Sequence, residues 1–303
     1  MPIDTWGLVI NRINGFLKRD PSFLSVPGNI SFIISASFSI VITLYGYFEA
    51  RDVRIERQVV RTPKITERIR IVQISDVHIG LIIRGERVKK IVDLVNRERP
   101  DIVISTGDLV DGQINSLRGI SDLLSEIRPS YGKFAITGNH EFYAGLKQAM
   151  EFTERSGFRV LRGDSITVAD RINIAGVDDP AGKAYGLYID VPERDLLSRL
   201  PREKFTILLK HRPVIGKGSA GLFDLQLSGH THKGQFFPLS IITWLYYPVH
   251  AGRMNITDNS YLYVSRGTGT WGPPIRFLSP PEITVIDLIP DYSPAPSQIE
   301  RHE

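Results

Sequence analysis

Short apolar runs punctuate this chain, and each ends in a polar turn. They are Ile69-Arg70-Ile71-Val72-Gln73-Ile74, Asp101-Ile102-Val103-Ile104-Ser105-Thr106, Lys133-Phe134-Ala135-Ile136, Phe205-Thr206-Ile207-Leu208-Leu209 and Phe223-Asp224-Leu225-Gln226-Leu227. Runs this short and this rich in Ile, Val and Leu, bounded by Gly or polar residues, predict buried strands. Helical periodicity lies between and after the first three, over Glu86 to Arg97, Leu117 to Ile127 and Leu146 to Ser156. The alternation is a βαβ rhythm, which predicts an α/β fold with functional groups gathered at the carboxyl ends of the strands.

The N-terminal part has a different pattern. No charged residue occurs from Pro21 to Phe48, and Ile30 to Phe48 is almost continuously apolar, interrupted by serines. A membrane span needs about 20 mostly apolar residues. Residues 28–49 are therefore expected to form a single transmembrane anchor, with Tyr45, Tyr47 and Phe48 as interfacial aromatics. A cleaved secretory signal and a buried soluble helix are the competing readings; no Ala-x-Ala-type cleavage site follows the run. Arg12, Lys18 and Arg19 precede the span, and Arg51, Arg54, Arg57, Arg61 and Lys64 follow it. The positive-inside rule then puts the larger part of the chain on the cytoplasmic side. Around the span, residues 1–27 read as a lead that is loosely amphipathic from Trp6 to Leu17, and residues 50–66 as a linker. Residues 67–289 read as the main folded domain, and residues 290–303, rich in Pro and Ser, as a disordered tail.

A second apolar stretch runs from Phe236 to Pro248. It is too short to span a membrane, and proline at both ends disfavours a strand. It reads either as a lip that meets lipid or acyl chains, with Trp244, Tyr246 and Tyr247 at the interface, or as a core helix packed on a sheet.

The polar turns carry the chemistry. Each predicted strand is followed by metal-binding side chains: Ser75-Asp76-Val77-His78, Gly107-Asp108, Gly138-Asn139-His140-Glu141, Lys210-His211 and Gly229-His230-Thr231-His232. Gly-Asp and Gly-Asn are ordinary turn dipeptides, and a single His is commonly structural. The coincidence decides the matter: five of the seven histidines fall in these turns, leaving only His250 and His302 outside. Mixed oxygen and imidazole donors in this number are the inventory of two divalent metals of the Mn, Fe, Zn or Co kind. A two-metal centre serves attack of an activated hydroxide on a phosphoryl or acyl centre. If the strand continues through Asp76 and His78, residues i and i+2 point the same way. Arg212 and Arg276 are candidate phosphate contacts. Trp244 is a candidate substrate contact in the lip, and Trp271 a candidate for the cleft wall.

Asp-x-His, Gly-Asp, Gly-Asn-His-Glu, a single His and Gly-His-Thr-His, in that order, resemble the calcineurin-like metallophosphoesterases from about Thr62 to Asp287. The stretches Gly176 to Asp179, Leu227 to Gln235 and Arg266 to Arg276 look like a membrane-linked bacterial branch of that family. Lys233 stands where a small residue is more usual. The resemblance implies two mixed β-sheets sandwiched between helices in four αββα layers, here preceded by the membrane helix. Its C-terminal strands would be Lys204 to Leu209, Leu225 to Ser228, Tyr261 to Ser265 and Ile283 to Leu288. It also implies that Asp76, His78 and His232 hold one metal, that Asn139, His211 and His230 hold the other, and that Asp108 bridges them. His140 would assist the leaving group. Asp111 is the candidate for orienting its ring, or else Glu141; Asp111 could equally be a plain turn cap.

Composition bounds the rest. With 303 residues and 42% hydrophobic content, the chain can bury a substantial core. It has no Cys, which excludes disulfides and thiolate ligands. A formal charge of +4 does not argue for nucleic acid and is compatible with an anionic membrane surface. The expected function is hydrolysis of a phosphodiester or pyrophosphate, with a lipid-linked substrate such as UDP-2,3-diacylglucosamine as the first named candidate by resemblance. A nucleotide or glycerophosphodiester substrate is the alternative within the class. A non-catalytic membrane scaffold is the alternative outside it, disfavoured because every ligand position is filled.

Overall fold

Among the described residues, twelve strands form two sheets. A computed structural model describes residues 27–112 and 118–291. The expected N-terminal lead and most of the expected tail lie outside the described residues.

The first helix, α1 (Gly28–Glu49), coincides with the uncharged stretch. Its side chains are largely exposed, among them Phe32 at 73% and Phe38 at 66%. The helix has the length and composition to cross a membrane.

The described residues from Tyr47 to Asp291 form one compact unit. Its strands are β1 (Arg54–Thr62), β2 (Ile69–Ile74), β3 (Ile102–Ser105), β4 (Lys133–Ala135), β5 (Phe158–Val160), β6 (Asp164–Val168), β7 (Ile172–Gly176), β8 (Phe205–Leu209), β9 (Leu225–Ser228), β10 (Gly252–Thr257), β11 (Ser260–Val264) and β12 (Glu282–Pro290). One sheet runs β1-β12-β2-β3-β4-β5 and the other β10-β11-β9-β8-β7-β6. β2, β3, β4 and β5 are mutually parallel, as are β7, β8, β9 and β11, while β12 against β2, β10 against β11 and β6 against β7 are antiparallel. Both sheets are thus mixed.

Period-two alternation explains how the sheets stack. Ile69 and Ile71 of β2 meet Ile207, Leu209, Leu225 and Leu227 of the second sheet in the central core. Val72 and Ile74, on the other face of β2, pack instead against Val88, Ile91, Val92 and Val95 of α2 (Gly85–Arg97). The helices α3 (Arg118–Ser125), α4 (Asn139–Tyr143) and α5 (Leu146–Arg155) follow in the chain, and Leu124 of α3 and Ala149 and Phe152 of α5 join the same cluster. Leu196 and Leu197 of α6 (Glu193–Ser198) cover Ala175 and Leu208 on the outside of the second sheet. The layers are helix, sheet, sheet, helix. A last helix, α7 (Leu239–Tyr246), buries none of its residues.

One segment departs from expectation. Arg54–Thr62, read from sequence as part of a linker, is an edge strand that pairs with β12 over nine residues, from Arg54 opposite Glu282 to Thr62 opposite Pro290. Its charged, half-exposed composition is that of an edge strand, whose outer face needs no apolar partner.

Candidate metal centre

The strands β2, β3, β4, β8 and β9 point their carboxyl ends at one place, and the loops that leave them hold the candidate ligands. Asp76 and His78 follow β2, Asp108 follows β3, Asn139 opens α4 after β4, His211 follows β8, and His230 and His232 follow β9. All are buried except His230, which is partly so.

The backbone at these positions is unusual. β2 ends at Ile74, and Asp76 and His78 take φ values of 50° and 53°, so they do not continue the strand as a simple i, i+2 pair. Asp108, His230 and His232 also lie at positive φ, at 50°, 71° and 47°. Non-glycine residues are uncommon there, and each costs roughly 1–3 kcal/mol that the surrounding structure must offset.

The motif glycines allow the loops to touch. A Cβ at Gly138 would fall 2.1 Å from Asp108 Oδ1, and one at Gly229 would fall 2.0 Å from Ser75 Oγ and 2.2 Å from Asp76 Oδ2. Any side chain at either position would push a candidate ligand out of place.

The donor atoms form overlapping clusters: Asp76, His78 and His232; His78, Asp108 and His140; Asp108, His211 and His230. His78 and Asp108 each belong to two of them, and of the two only Asp108 offers a carboxylate. His78 Nε2 and His232 Nε2 are 3.0 Å apart, His230 Nδ1 and His211 Nε2 3.2 Å, and His211 Nε2 and Asp108 Oδ2 3.2 Å. Ring nitrogens that face one another at this distance need a positive centre or a proton between them. His78 Nδ1 and Asn139 Oδ1 are buried without a hydrogen-bond partner. Buried polar atoms rarely go unsatisfied, and an amide oxygen facing imidazoles and carboxylates suits a cation. The donor set therefore fits two divalent ions.

Electrostatics agree. Burial holds the His78 imidazole down at about 4 and, with the nearby His211, the His230 imidazole at about 3, so both offer neutral nitrogen lone pairs. Burial also lowers His211, but Asp108 and Asp76 outweigh it and hold that ring up at about 10; the carboxylates attract positive charge at this point. His211 Nδ1 lies 2.8 Å from the Thr106 carbonyl, which can only accept, so Nδ1 carries a hydrogen and Nε2 faces the cluster.

The surrounding shell is built from loop to loop. Asp76 accepts from Ser75 Oγ at 2.5 Å and from the His230 amide at 3.0 Å. Asp108 accepts from the His140 amide at 2.8 Å. Glu141 accepts from the amides of Gly138, Asp108, Leu109 and Val110 at 2.6–3.3 Å, which ties the loop after β3 to the start of α4. Glu141 thus holds backbone and does not orient His140. His140 Nδ1 lies 2.9 Å from Asp111 Oδ1. Burial opposes charge on His140, but Asp111 and the other carboxylates outweigh it and raise its pKa.

The substrate-side residues are placed less simply. Arg276 does not face the cleft. It is fully buried and donates to the carbonyls of Arg266, Gly267, Gly269 and Ser279 and to His232 Nδ1 at 3.0 Å, so it braces the loop behind a candidate ligand. An isolated Gly-rich loop gives no sign of this, because the carbonyls converge only when the loop closes. Arg212 is paired bidentately with Asp179 at 2.7 and 3.0 Å. Trp244 is 54% exposed and lies outside the cleft wall, which Trp271, Leu239, Ile242 and Thr243 form beside His78, His140 and His232. The cleft is about 590 Å³. Tyr143, unremarked in the sequence, joins its lining and lies 5.3 Å from the His140 ring.

The calcineurin-like phosphoesterase family model matches residues 69–234, a span that holds every candidate ligand. A metallophosphoesterase of Aquifex aeolicus is 39% identical over 254 residues, covering 82% of this chain and 97% of its own length. A zebrafish transmembrane protein with a metallophosphoesterase domain is 32% identical over 299 residues, covering 92% of this chain and 68% of its own. Among solved structures, a 5'-nucleotidase precursor from Thermus thermophilus aligns with a TM-score of 0.45 and 17% identity over 73% of this chain and 54% of that one. The chain belongs to the calcineurin-like phosphoesterase family and is a metal-dependent phosphoester hydrolase.

Proposed function

We propose that this phosphoesterase is a single-pass membrane enzyme that cleaves a phosphodiester or pyrophosphate bond in a lipid-linked substrate. One observation carries the finer reading: the exposed apolar helix α7 contributes Leu239 and Ile242 to the wall of the metal cleft. A water-soluble substrate has no use for an uncovered apolar wall, whereas an acyl chain or a bilayer surface would cover it. The apolar helix α1 supports the membrane reading, with Gly28–Glu49 as the anchor, and the basic residues that follow it, Arg51, Arg54, Arg57, Arg61 and Lys64, favour a cytoplasmic catalytic unit.

Asp76, His78 and His232 would hold one divalent ion and Asn139, His211 and His230 a second, with Asp108 shared. Bound there, two divalent ions supply an activated water and a positive field for the phosphoryl oxygens. A carboxylate at Asp108 would reduce the repulsion between two such ions. His140, oriented through Nδ1 by Asp111, presents its other nitrogen toward the cleft and donates a proton to the leaving oxygen. Glu141 keeps the loops bearing Asp108 and His140 in register.

The test is a substrate panel on the metal-reconstituted full chain: a phosphomonoester, a soluble phosphodiester, a glycerophosphodiester and UDP-2,3-diacylglucosamine. An acylated diester or pyrophosphate should give the highest kcat/KM. A soluble phosphomonoester turned over as well as any acylated compound would refute the lipid reading, and no turnover of any member would favour a scaffold.

A further inference from the structure

Away from the metal centre, a second cleft of about 260 Å³ opens where the chain leaves α1. Arg51, Arg87 and Lys90 line it, with Glu86, Val53 and Ile91. Arg51 stands two residues beyond the end of α1 at Glu49, so the chain can separate them by no more than about 7 Å.

Three cations are held here at close quarters. Arg51 donates to the Tyr47 carbonyl at 2.9 Å, and its guanidinium lies 3.3 Å from the centre of the Tyr47 ring. Arg87 donates to the Ala50 carbonyl at 2.8 Å, and Lys90 to the Arg51 carbonyl at 2.7 Å. These bonds fix the side chains to the last turn of α1 and the first residues after it, while leaving most of their N–H groups free for an acceptor. None of the ion pairs found among the described residues involves Arg51, Arg87 or Lys90. Burial and the neighbouring Arg51 both disfavour charge on Arg87, so its cationic form gains from an incoming anion. With Glu86 the only carboxylate in the lining, the cleft keeps a net positive charge.

We propose that this cleft binds the phosphate of an anionic lipid headgroup. The inference rests on the reading of α1 as a membrane span, which sets Arg51 at headgroup depth. Two guanidinium forks match phosphate oxygens bidentately, and an ammonium adds a point charge. Val53 and Ile91 give the cleft an apolar side that suits a glycerol backbone and not a hydrated ion. Binding there would hold the catalytic unit at the lipid surface without touching the metals.

The experiment titrates the full chain in neutral detergent, after chelation so that no metal competes for phosphate, and follows binding by thermophoresis. The probes are dihexanoyl phosphatidylglycerol, dihexanoyl phosphatidylcholine and inorganic phosphate. Phosphatidylglycerol should bind at least about tenfold more tightly than either of the others. Lys90→Glu and Arg51→Glu, both away from the metal loops, should each weaken it by about tenfold or more, the effect of reversing one charge near a lipid surface. Each should leave turnover of a soluble phosphodiester by metal-loaded protein within about twofold. Equal binding of the two lipids, or wild-type binding by Lys90→Glu, overturns the proposal. Phosphate binding as tight as phosphatidylglycerol assigns the cleft to a free anion and overturns the lipid assignment. Carbonate extraction of wild-type membranes reads the span separately: release of the protein would refute the anchor, whatever the titration shows.

Discussion

If α7 meets lipid, then Trp244→Ser combined with Leu245→Ser should weaken action on acylated substrates and spare soluble ones. Full burial of one large apolar side chain is worth about 1.5–3 kcal/mol. Trp244 is 54% exposed and Leu245 68% exposed, so only that part of each remains to be covered by lipid. Scaled accordingly, the pair contributes about 2–4 kcal/mol, or roughly 20- to 500-fold in apparent KM for an acylated substrate. The fold should tolerate the change, because α7 has no buried residue. The assay compares kcat/KM on an acylated diester in mixed micelles with kcat/KM on a soluble diester, together with the unfolding midpoint. An equal loss on both substrates, or a fall in the midpoint of more than a few degrees, would refute the reasoning. The first outcome would mean that α7 shapes the metal centre; the second, that it is structural.

Other substitutions separate the roles inside the cleft. Asp108→Asn should remove the shared anion and lower turnover by several orders of magnitude, with loss of at least one metal ion per chain by elemental analysis; full metal occupancy with near-normal turnover would refute the shared-ligand role. His140→Ala should retain both metals and slow the reaction by about 10²–10⁴-fold for a poor leaving group. The loss should be much smaller for nitrophenyl esters, and a uniform loss would argue against proton donation. Glu141→Ala leaves up to four buried amides without their acceptor, at about 1–3 kcal/mol for each one not rescued by water. It should therefore lower the thermal midpoint and metal affinity together, and an unchanged midpoint would count against its role as a brace. Because His211 is held protonated up to about pH 10 by its carboxylate neighbours, metal binding at pH 7–8 should release a proton and tighten as pH rises. Calorimetry in two buffers of different ionisation enthalpy would detect that proton, and identical heats would refute it.

Much of this molecule is written locally. Apolar runs such as Ile69 to Ile74 and Phe205 to Leu209 declare strands because the run and its bounding turn lie within a few residues of one another. Asp76, His78, Asp108, Asn139, His211, His230 and His232 stand out because they follow those runs, and parallel strands must bring such ends together. The uncharged stretch marks α1 by composition alone.

Other features depend on residues far apart in the chain. Arg54–Thr62 is a strand only because β12, more than 200 residues later, lies beside it. Arg276 resembles a phosphate contact until the closed loop surrounds it with carbonyls and sets it behind His232. The apolar run from Phe236 fits a core helix equally well, and only the folded structure shows that α7 buries none of its residues beside the cleft. Asp76, His78, Asp108, His230 and His232 take positive φ values, and glycine-tight contacts between loops reach Asp76, Asp108 and His232 among them. Residue type and spacing thus determine which side chains can serve a metal centre. Tertiary contacts decide which way each one faces, because backbone strain of that kind persists only where neighbouring loops enforce it.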